Sequence, residues 1–577
     1  MRGKHIKIVT VALSSLLVML FSTMSAGSAF AHPAGAAAAT TNYTGKAGTV
    51  TRVTTAPRAN GAAATHQPRV IPYRTPGSGV TPASGRGAPN VTGTPLTAEG
   101  GLLHNFNGLS DADQSAAQAN PPAEVTPPDQ GLCTGFDVSR KGHPQVVWEA
   151  VNSAVAEYTT GGKLLAGPFS FATFFDPNAF SDPRCFYDMQ AHTFFFTVIS
   201  CVTCGPPGTA DSKNDIVVLN AHGRALYQVD SSLGGTCFGD QPKTGYDSHA
   251  LYVSTDQFCG PSGNTYLGEL LIGLSKPQLV AEAATVSQVS FGPLSIASIP
   301  VLGLEPAFGD DSGIEYLLNS FPFDQFGNNN SVSNQLGFWK VTGDQNITTA
   351  TLSGQIIGSE TYAFPVPAAS TGTGAVTCVP FVVTVDCPGG ILVQSEAFLN
   401  PDDDRMLQIQ LVNDEQHGLQ LYASLSTALT VGSDPSNRDG AAWFVLDPTH
   451  ATITDQGYIA VAGAYLLYPS ILHTNEGTTA LAFTLTSTTI NPSAAFVVRK
   501  STSSVFGPVM PVALGTSPHV SFAGPLVGRT RWGDYSALEL DPNGVDIWSA
   551  TEYIPPKAHQ DPVDNWGTRI WDVMGDH

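Results

Sequence analysis

From Pro127 onward the chain alternates short apolar or β-branched runs with turn-forming residues. Asp215-Ile-Val-Val-Leu219, Gln408-Ile-Gln-Leu-Val412 and Ala482-Phe-Thr-Leu-Thr486 are typical runs, set among Gly, Pro, Asn and Asp. Sustained 3.6-residue periodicity is almost absent, so the pattern predicts many short strands and no long amphipathic helix. Residues 32–125 read differently, being rich in Ala, Thr, Gly, Pro and Ser with few clustered large apolar side chains. Such a stretch buries too little apolar surface to offset its ordering entropy, which predicts a flexible, disordered stalk. Within it, Leu102-Leu-His-Asn-Phe106 is the one segment that could dock as an added strand. At the start, Arg2, Lys4 and Lys7 precede a mostly apolar Ile8–Phe21 and the small-residue site Ala29-Phe30-Ala31. That order predicts a secretory signal peptide over 1–31, with the apolar run too short for a membrane span.

The strand pattern is organised by a recurring cassette. It runs Asp182-Pro-Arg-Cys-Phe-Tyr-Asp188, then Asp240-Gln-Pro-Lys-Thr-Gly-Tyr-Asp247, then Asp534-Tyr-Ser-Ala-Leu-Glu-Leu-Asp541, each followed by an apolar or aromatic run. Looser members lie at Tyr468-Pro-Ser470, Gly309-Asp-Asp311 and Asn400-Pro-Asp-Asp-Asp404. Gaps of roughly 60–90 residues suit four-strand units with long loops better than the close strand spacing of a sandwich. With a further strand set over 129–175, the reading is all-β: a single β-propeller over 126–577, seven blades first, six or eight as alternatives. Ring closure should bring the segment near Asp129 beside Trp566-Gly-Thr-Arg-Ile570.

Charge and cysteines narrow the class. Residues 126–577 hold 17 Lys and Arg against 43 Asp and Glu, a balance of −26. Nucleic acid and anionic membranes are poor partners for such a chain, and solubility, in an acidic habitat, is the simplest account. Eight cysteines in an exported chain predict disulfides, with local pairs Cys133–Cys185, Cys201–Cys204, Cys237–Cys259 and Cys378–Cys387. The expectation is a secreted monomer with no membrane span.

Candidate chemistry concentrates in few places. Asp182, Asp240 and Asp534 stand at blade starts, where equivalent positions converge on one end of a central channel. They could act as acid and base, hold a cation, or tie neighbouring blades together by accepting backbone N–H bonds. Arg531-Trp-Gly-Asp-Tyr-Ser536, followed by Glu552-Tyr553, offers a ligand site: Arg531 for an anion, Trp532 and Tyr535 for stacking, Asp534 as acid, with Glu552 and Tyr553 beside them. The competing reading packs them as blade closure. Asn475-Glu-Gly477 and Asp541-Pro-Asn-Gly544 read as turns in which the first side chain caps its own hairpin. Asp310-Asp311, Asp402-Asp403-Asp404 and Asp434–Asp439 could hold Ca2+, although none has EF-hand spacing; no other cofactor and no metal centre is expected. His143, His192, His222 and His249 show no ligand spacing, and no serine-nucleophile elbow, zincin motif, P-loop or dinucleotide fingerprint occurs.

The order Pro127-Pro-Asp129, Val151-Asn-Ser153, Asp182-Pro183, Gly239-Asp-Gln-Pro242, Tyr468-Pro-Ser470, Arg531–Ser536, Glu552-Tyr553 and Thr568-Arg-Ile570 resembles a family of exported bacterial β-propeller proteins, over about 127–570. The resemblance implies a propeller and export, and carries no activity. More distantly the chain resembles sialidase-type propellers, which implies an arginine triad, drawn here from Arg184, Arg405, Arg529, Arg531 and Arg569, and a Tyr–Glu pair at Glu552-Tyr553. Full Asp-boxes are missing. Three functions follow as expectations: non-catalytic binding of an extracellular glycan or envelope protein, a glycoside hydrolase or lyase using paired carboxylates, or a cell-envelope scaffold.

Overall fold

A computed structural model of the chain describes residues 40–53, 102–118, 127–201, 211–260, 265–309, 313–321, 332–379, 391–414, 417–521, 532–560 and 564–575. The expected signal peptide lies outside the described residues. Among them, seven antiparallel sheets of four or more strands follow one another along the chain. They are built on 131–170, 179–230, 237–300, 305–363, 406–459, 465–513 and 537–573. The first strand of each sheet touches the first strand of the next, and that of the seventh touches that of the first. The fold is therefore a β-propeller, as the cassette spacing predicted.

Period-2 alternation explains why the middle strands read as continuous apolar runs: both faces are buried. In the strand Asn437–Asp447, Ala442, Phe444 and Leu446 join the core shared with the fourth sheet, whereas Ala441, Trp443 and Val445 join the core shared with the sixth. The same division recurs in the strand Ala250–Cys259, where Leu251 and Val253 face the second sheet and Ala250 and Tyr252 face the fourth. Every adjacent pair of sheets shares such a core. The last one joins Trp548, Trp566 and Ile570 of the seventh sheet to Leu132, Val147 and Tyr158 of the first, so the closure expected near Trp566–Ile570 is present.

The segment 32–125, read as stalk, needs correction in two places. Asn105–Ser110 forms the outer strand of the seventh sheet, pairing Phe106 with Ile570 and Asn107 with Arg569. Phe106 and Leu109 then enter the first–seventh core. Thr41–Thr44 and Lys46–Thr51 add outer strands to the fourth and third sheets respectively. The docking expected near Leu102–Phe106 is present in the overlapping strand Asn105–Ser110, whereas composition missed 41–51 because an edge strand needs backbone hydrogen bonds and one or two apolar anchors, not an apolar run. Together they cover edges that would otherwise be exposed.

Cys133–Cys185 joins the first and second sheets, with Cα atoms 5.3 Å apart, and Cys237–Cys259 clasps the first hairpin of the third, at 4.1 Å. Of the other expected pairs, Cys204 and Cys387 lie outside the described residues. No helix among the described residues is long and apolar enough to cross a membrane.

Candidate functional site

The repeated element at the blade starts is a backbone kink, not an acid. One residue with positive φ stands at or just before the first strand of each sheet: Asp129, Asp182, Gln241, Gly303, Asp402, Tyr468 and Gly533. At three of them a proline follows and the strand register slips, between Ser181 and Arg184, Asp240 and Lys243, and Leu467 and Ser470. This is the geometry of β-bulges, which re-aim side chains at the mouths of closed sheets. The sequence cassettes align on their aspartates, yet Asp182 occupies the kink, Asp240 precedes it and Asp534 follows it. The second aspartate of each cassette behaves uniformly. Asp188, Asp247 and Asp541 each accept a backbone N–H two residues on, capping their hairpins as expected for Asp541.

Beyond the kinks, side chains of several sheets converge on the axis. Gln130, Arg184, Thr244, Glu305, Gln408 and Glu539 line one cavity of about 40 Å³, room for one or two waters. The axis is crossed by hydrogen bonds: Gln408 exchanges bonds with Leu538 N–H and C=O at 3.1 and 2.8 Å, and Glu539 Oε1 accepts from Tyr187 N–H at 3.1 Å. Several polar atoms nevertheless have no hydrogen-bond partner: both amide atoms of Gln130, Arg184 Nε and Glu305 Oε2. Burial raises the Glu305 carboxyl to about 7, against the attraction of Arg184 and Lys243, and raises Glu539 well above the usual carboxylate range.

A buried ion network adjoins this cavity. Lys243 Nζ lies 3.2 Å from both Asp256 Oδ2 and Glu269 Oε1, and Arg405 Nη1 lies 3.2 Å from the same Asp256 oxygen. Arg405 also grips Asp403 in a fork, at 2.7 and 2.6 Å. Burial opposes ionisation of Asp256, but Lys243 and Arg405 outweigh it and hold the carboxyl low. Burial and the neighbouring Asp256 push Glu269 up. Arg184 lies over the Tyr535 ring, 3.4 Å from its centroid. The structure thus brings together Arg184, Arg405 and Lys243; sequence reasoning passed over Lys243, whose one signal was its place in the second cassette.

The predicted site residues separate. Arg531 and Arg529 lie outside the described residues. Trp532 and Tyr535 are fully buried in one core cluster, with Trp532 Nε1 donating to Thr484 Oγ1 at 3.1 Å and Tyr535 O–H to the Pro183 carbonyl at 2.9 Å. Their faces are packed against protein, which corrects the stacking role read from the motif. Glu552 and Tyr553 are consecutive in the strand Ile547–Tyr553 and so face opposite sides of the sheet. Glu552 is enclosed near Asp564, Asp129 and Asp534, its carboxyl pushed well up by burial, whereas Tyr553 O–H donates to Asn107 Oδ1 at 2.5 Å on the other side. A Tyr–Glu pair built from these two is ruled out by the pleat.

Asp182 and Asp534 both lie near Tyr535, with Asp129. Asp129 accepts the Asp534 N–H at 2.6 Å and an Asn152 amide N–H at 2.6 Å, while Asn152 Oδ1 accepts the Asp182 N–H at 2.7 Å. Here the ties run through Asp129 and Asn152, which take the backbone N–H groups of Asp534 and Asp182, rather than through the carboxylates of the cassette aspartates themselves. Asp240 is apart from them, opposite Asp256 in the third sheet. Arg569 bonds Asn105 and Asn107 on the outer strands and joins no arginine cluster. The acidic turns are occupied by protein groups: Asp403 by Arg405, Asp434 by Arg438 at 2.8 Å, and Asp439 by the Val366 N–H at 2.7 Å. Asp310 and Asp311 lie outside the described residues.

No family model matches this chain. A comparison with curated proteins found no similar sequence. Solved structures do match in part. A polysaccharide lyase, Uly1, aligns at 10% identity and TM-score 0.37 over 82% of this chain and 98% of its own. The Dos1 propeller aligns at 8% and 0.31 over 83% and 95%. The N10 neuraminidase-like protein of A/little yellow-shouldered bat/Guatemala/060/2010 aligns at 11% and 0.29 over 64% and 93%. At such identities and scores they add nothing to the fold already read from the sheets.

Proposed function

We propose that this protein is an exported, seven-bladed propeller that binds an extracellular ligand, a glycan or an envelope protein, at the kinked end of its channel without transforming it. The observation that carries this reading is the axial cavity, where six of the seven sheets present polar side chains and where Gln130, Arg184 and Glu305 retain unpartnered buried polar atoms. Such atoms are costly when left unmade, and a hydroxyl-rich ligand seated across the mouth would satisfy them directly or through the cavity water. The hydrolase reading is weaker on the same geometry: Tyr535 is locked to a backbone carbonyl, and the Glu552-Tyr553 pair is split by the pleat.

The test is retention and reducing-end release by the full chain on a panel of polysaccharides and sialoglycans, beside the Gln130→Leu and Asp534→Asn variants. Gln130 has no protein partner to lose, so Gln130→Leu should fold as well as the parent and bind less. Retention without release, weakened in Gln130→Leu, is the expected result. Release by the parent that Asp534→Asn abolishes would overturn the proposal in favour of an enzyme.

A further inference from the structure

A second polar cluster lies between the third and fourth sheets, where the turn of the first hairpin of the third meets the connection between the strands Val332–Thr342 and Thr351–Ala363 of the fourth. Asp247 follows the strand Cys237–Tyr246, His249 lies in the same turn, and Asp344 opens the short 3-10 segment Asp344–Thr349. One ligand atom from each can be chosen so that all three lie within 4.8 Å of one another. His249 Nδ1 is 3.6 Å from Asp344 Oδ1. A tetrahedral ion with bonds of about 2.0–2.1 Å holds its ligand atoms about 3.3–3.4 Å apart, close to the His249–Asp344 separation.

Local structure holds these groups in place. Asp247 Oδ1 is taken by the N–H groups of His249 and Ala250, both at 2.8 Å, which leaves Oδ2 buried without a hydrogen-bond partner. Asp344 Oδ2 accepts from Tyr252 O–H at 2.7 Å, which leaves Oδ1 in the same condition. Both carboxylates are at least nine-tenths buried, and each has one oxygen fixed by a backbone N–H or by Tyr252 and the other turned into the cluster, that of Asp344 facing His249. Gly313, at φ 62°, passes directly over the imidazole, where a Cβ would come within 3.0 Å of the ring. Glu315 lies behind them, buried, with Oε1 also unpartnered. Lys276, whose charge acts on Glu315, is committed to Asp188 at 2.7 Å.

We propose that Asp247, His249 and Asp344 form a binding site for a single divalent first-row transition cation, Zn2+ or Mn2+, that pins the third sheet to the fourth. Two buried carboxylates facing one another repel, and a cation between them replaces that repulsion with two bonds. The imidazole selects against Ca2+, whose preference is for oxygen ligands alone. The Tyr252 hydroxyl, bonded to the outer oxygen of Asp344, orients the ligand as outer partners of metal sites do.

The experiment uses the full chain, stripped with chelator, then titrated with Zn2+ or Mn2+ and assayed for bound metal by elemental analysis and calorimetry. One equivalent per chain is expected, with a rise in unfolding temperature. Asp344→Asn and His249→Ala should each weaken uptake by at least about tenfold. His249 is one-third exposed at its side chain, so its variant should keep the fold even if Asp344→Asn does not. Absence of uptake, or uptake of either metal unchanged in His249→Ala, would overturn the site and leave a proton shared between the two carboxyls as the explanation. Uptake of Ca2+ alone, insensitive to His249→Ala, would overturn it equally.

Discussion

Trp532 separates the two readings of the Trp-Gly-Asp-Tyr motif most sharply. Its side chain is 0% exposed, packed with Leu467, Tyr468, Tyr535 and Ile554, edge-on to His519 and bonded to Thr484. An aromatic side chain of this kind buries about 150–250 Å², which at about 25 cal/mol per Å² corresponds to about 4–6 kcal/mol. Truncations of Trp or Phe to Ala in cores cost about 3–5 kcal/mol, and the lost indole bond adds about 1. Trp532→Ala should therefore destabilise by about 4–5 kcal/mol, and Trp532→Phe, which keeps most of the volume, by about 1–2. In guanidinium, with a slope of about 5 kcal/mol/M, the Ala variant should shift the midpoint by about 0.8–1 M. Coincident fluorescence and circular dichroism transitions would establish that one midpoint describes the unfolding. A shift under about 0.2 M, with ligand retention lost, would refute the packing argument and return Trp532 to a binding surface.

Three further outcomes follow. Lys243→Met leaves Asp256 and Glu269 facing one another in the interior and should cost about 3–5 kcal/mol, with part recovered in the double variant with Glu269→Gln; an unchanged denaturation midpoint for the single variant would refute the network's role. A chain starting at residue 119 lacks the outer strand of the seventh sheet and the Phe106 and Leu109 anchors; against a chain starting at 102 it should lose about 3–6 kcal/mol and be nicked by protease near 567–573, and equal resistance would refute closure by that strand. Burial raises Glu149 to about 7, with Leu109 N–H donating to it at 2.6 Å; because the folded value lies above the unfolded one, its contribution is fully present below about pH 4.5 and lost as pH rises through 7, so Glu149→Gln should flatten stability across that window.

What was legible in the sequence was whatever repeats. Val, Ile and Phe runs with turns between them gave the strands, and the cassette period gave the ring, because each sheet must bury both faces against similar neighbours. The hairpin caps were legible too, since Asp541-Pro-Asn-Gly544 closes its own turn through local bonds. The site was not. Tyr535 and Trp532 have the composition of a binding loop, but whether an aromatic faces solvent is decided by what packs above it, here Ile554 and His519 from distant segments. His249 and Asp344 are 95 residues apart and meet only because the third and fourth sheets are adjacent, so no spacing rule connects them. Edge strands 41–51 were hidden by the weakness of their side-chain signal, while the docking of 105–110 was legible from Leu102-Leu-His-Asn-Phe106.

The acidity also means something different once the sheets are in place. As composition, −26 over 126–577 reads as a solvated surface. In the fold, Glu149, Glu269, Glu305, Glu315, Glu539 and Glu552 are all interior, and burial raises each. First strands crowded round an axis meet kinks and hairpin turns whose N–H groups lack ladder partners, and short carboxylate side chains reach them. The same carboxyls are then short of counter-charge, because Lys243, Arg184 and Arg405 are shared among several. Each of these six carboxyls favours the fold more once it takes up a proton, while Asp256, held low by Lys243 and Arg405, and the buried His473 and His519, lowered to about 4, act in the opposite sense. The polar axis and the Asp247–His249–Asp344 cluster are two of the places, among the described residues, where buried acid exceeds what the protein's own donors satisfy.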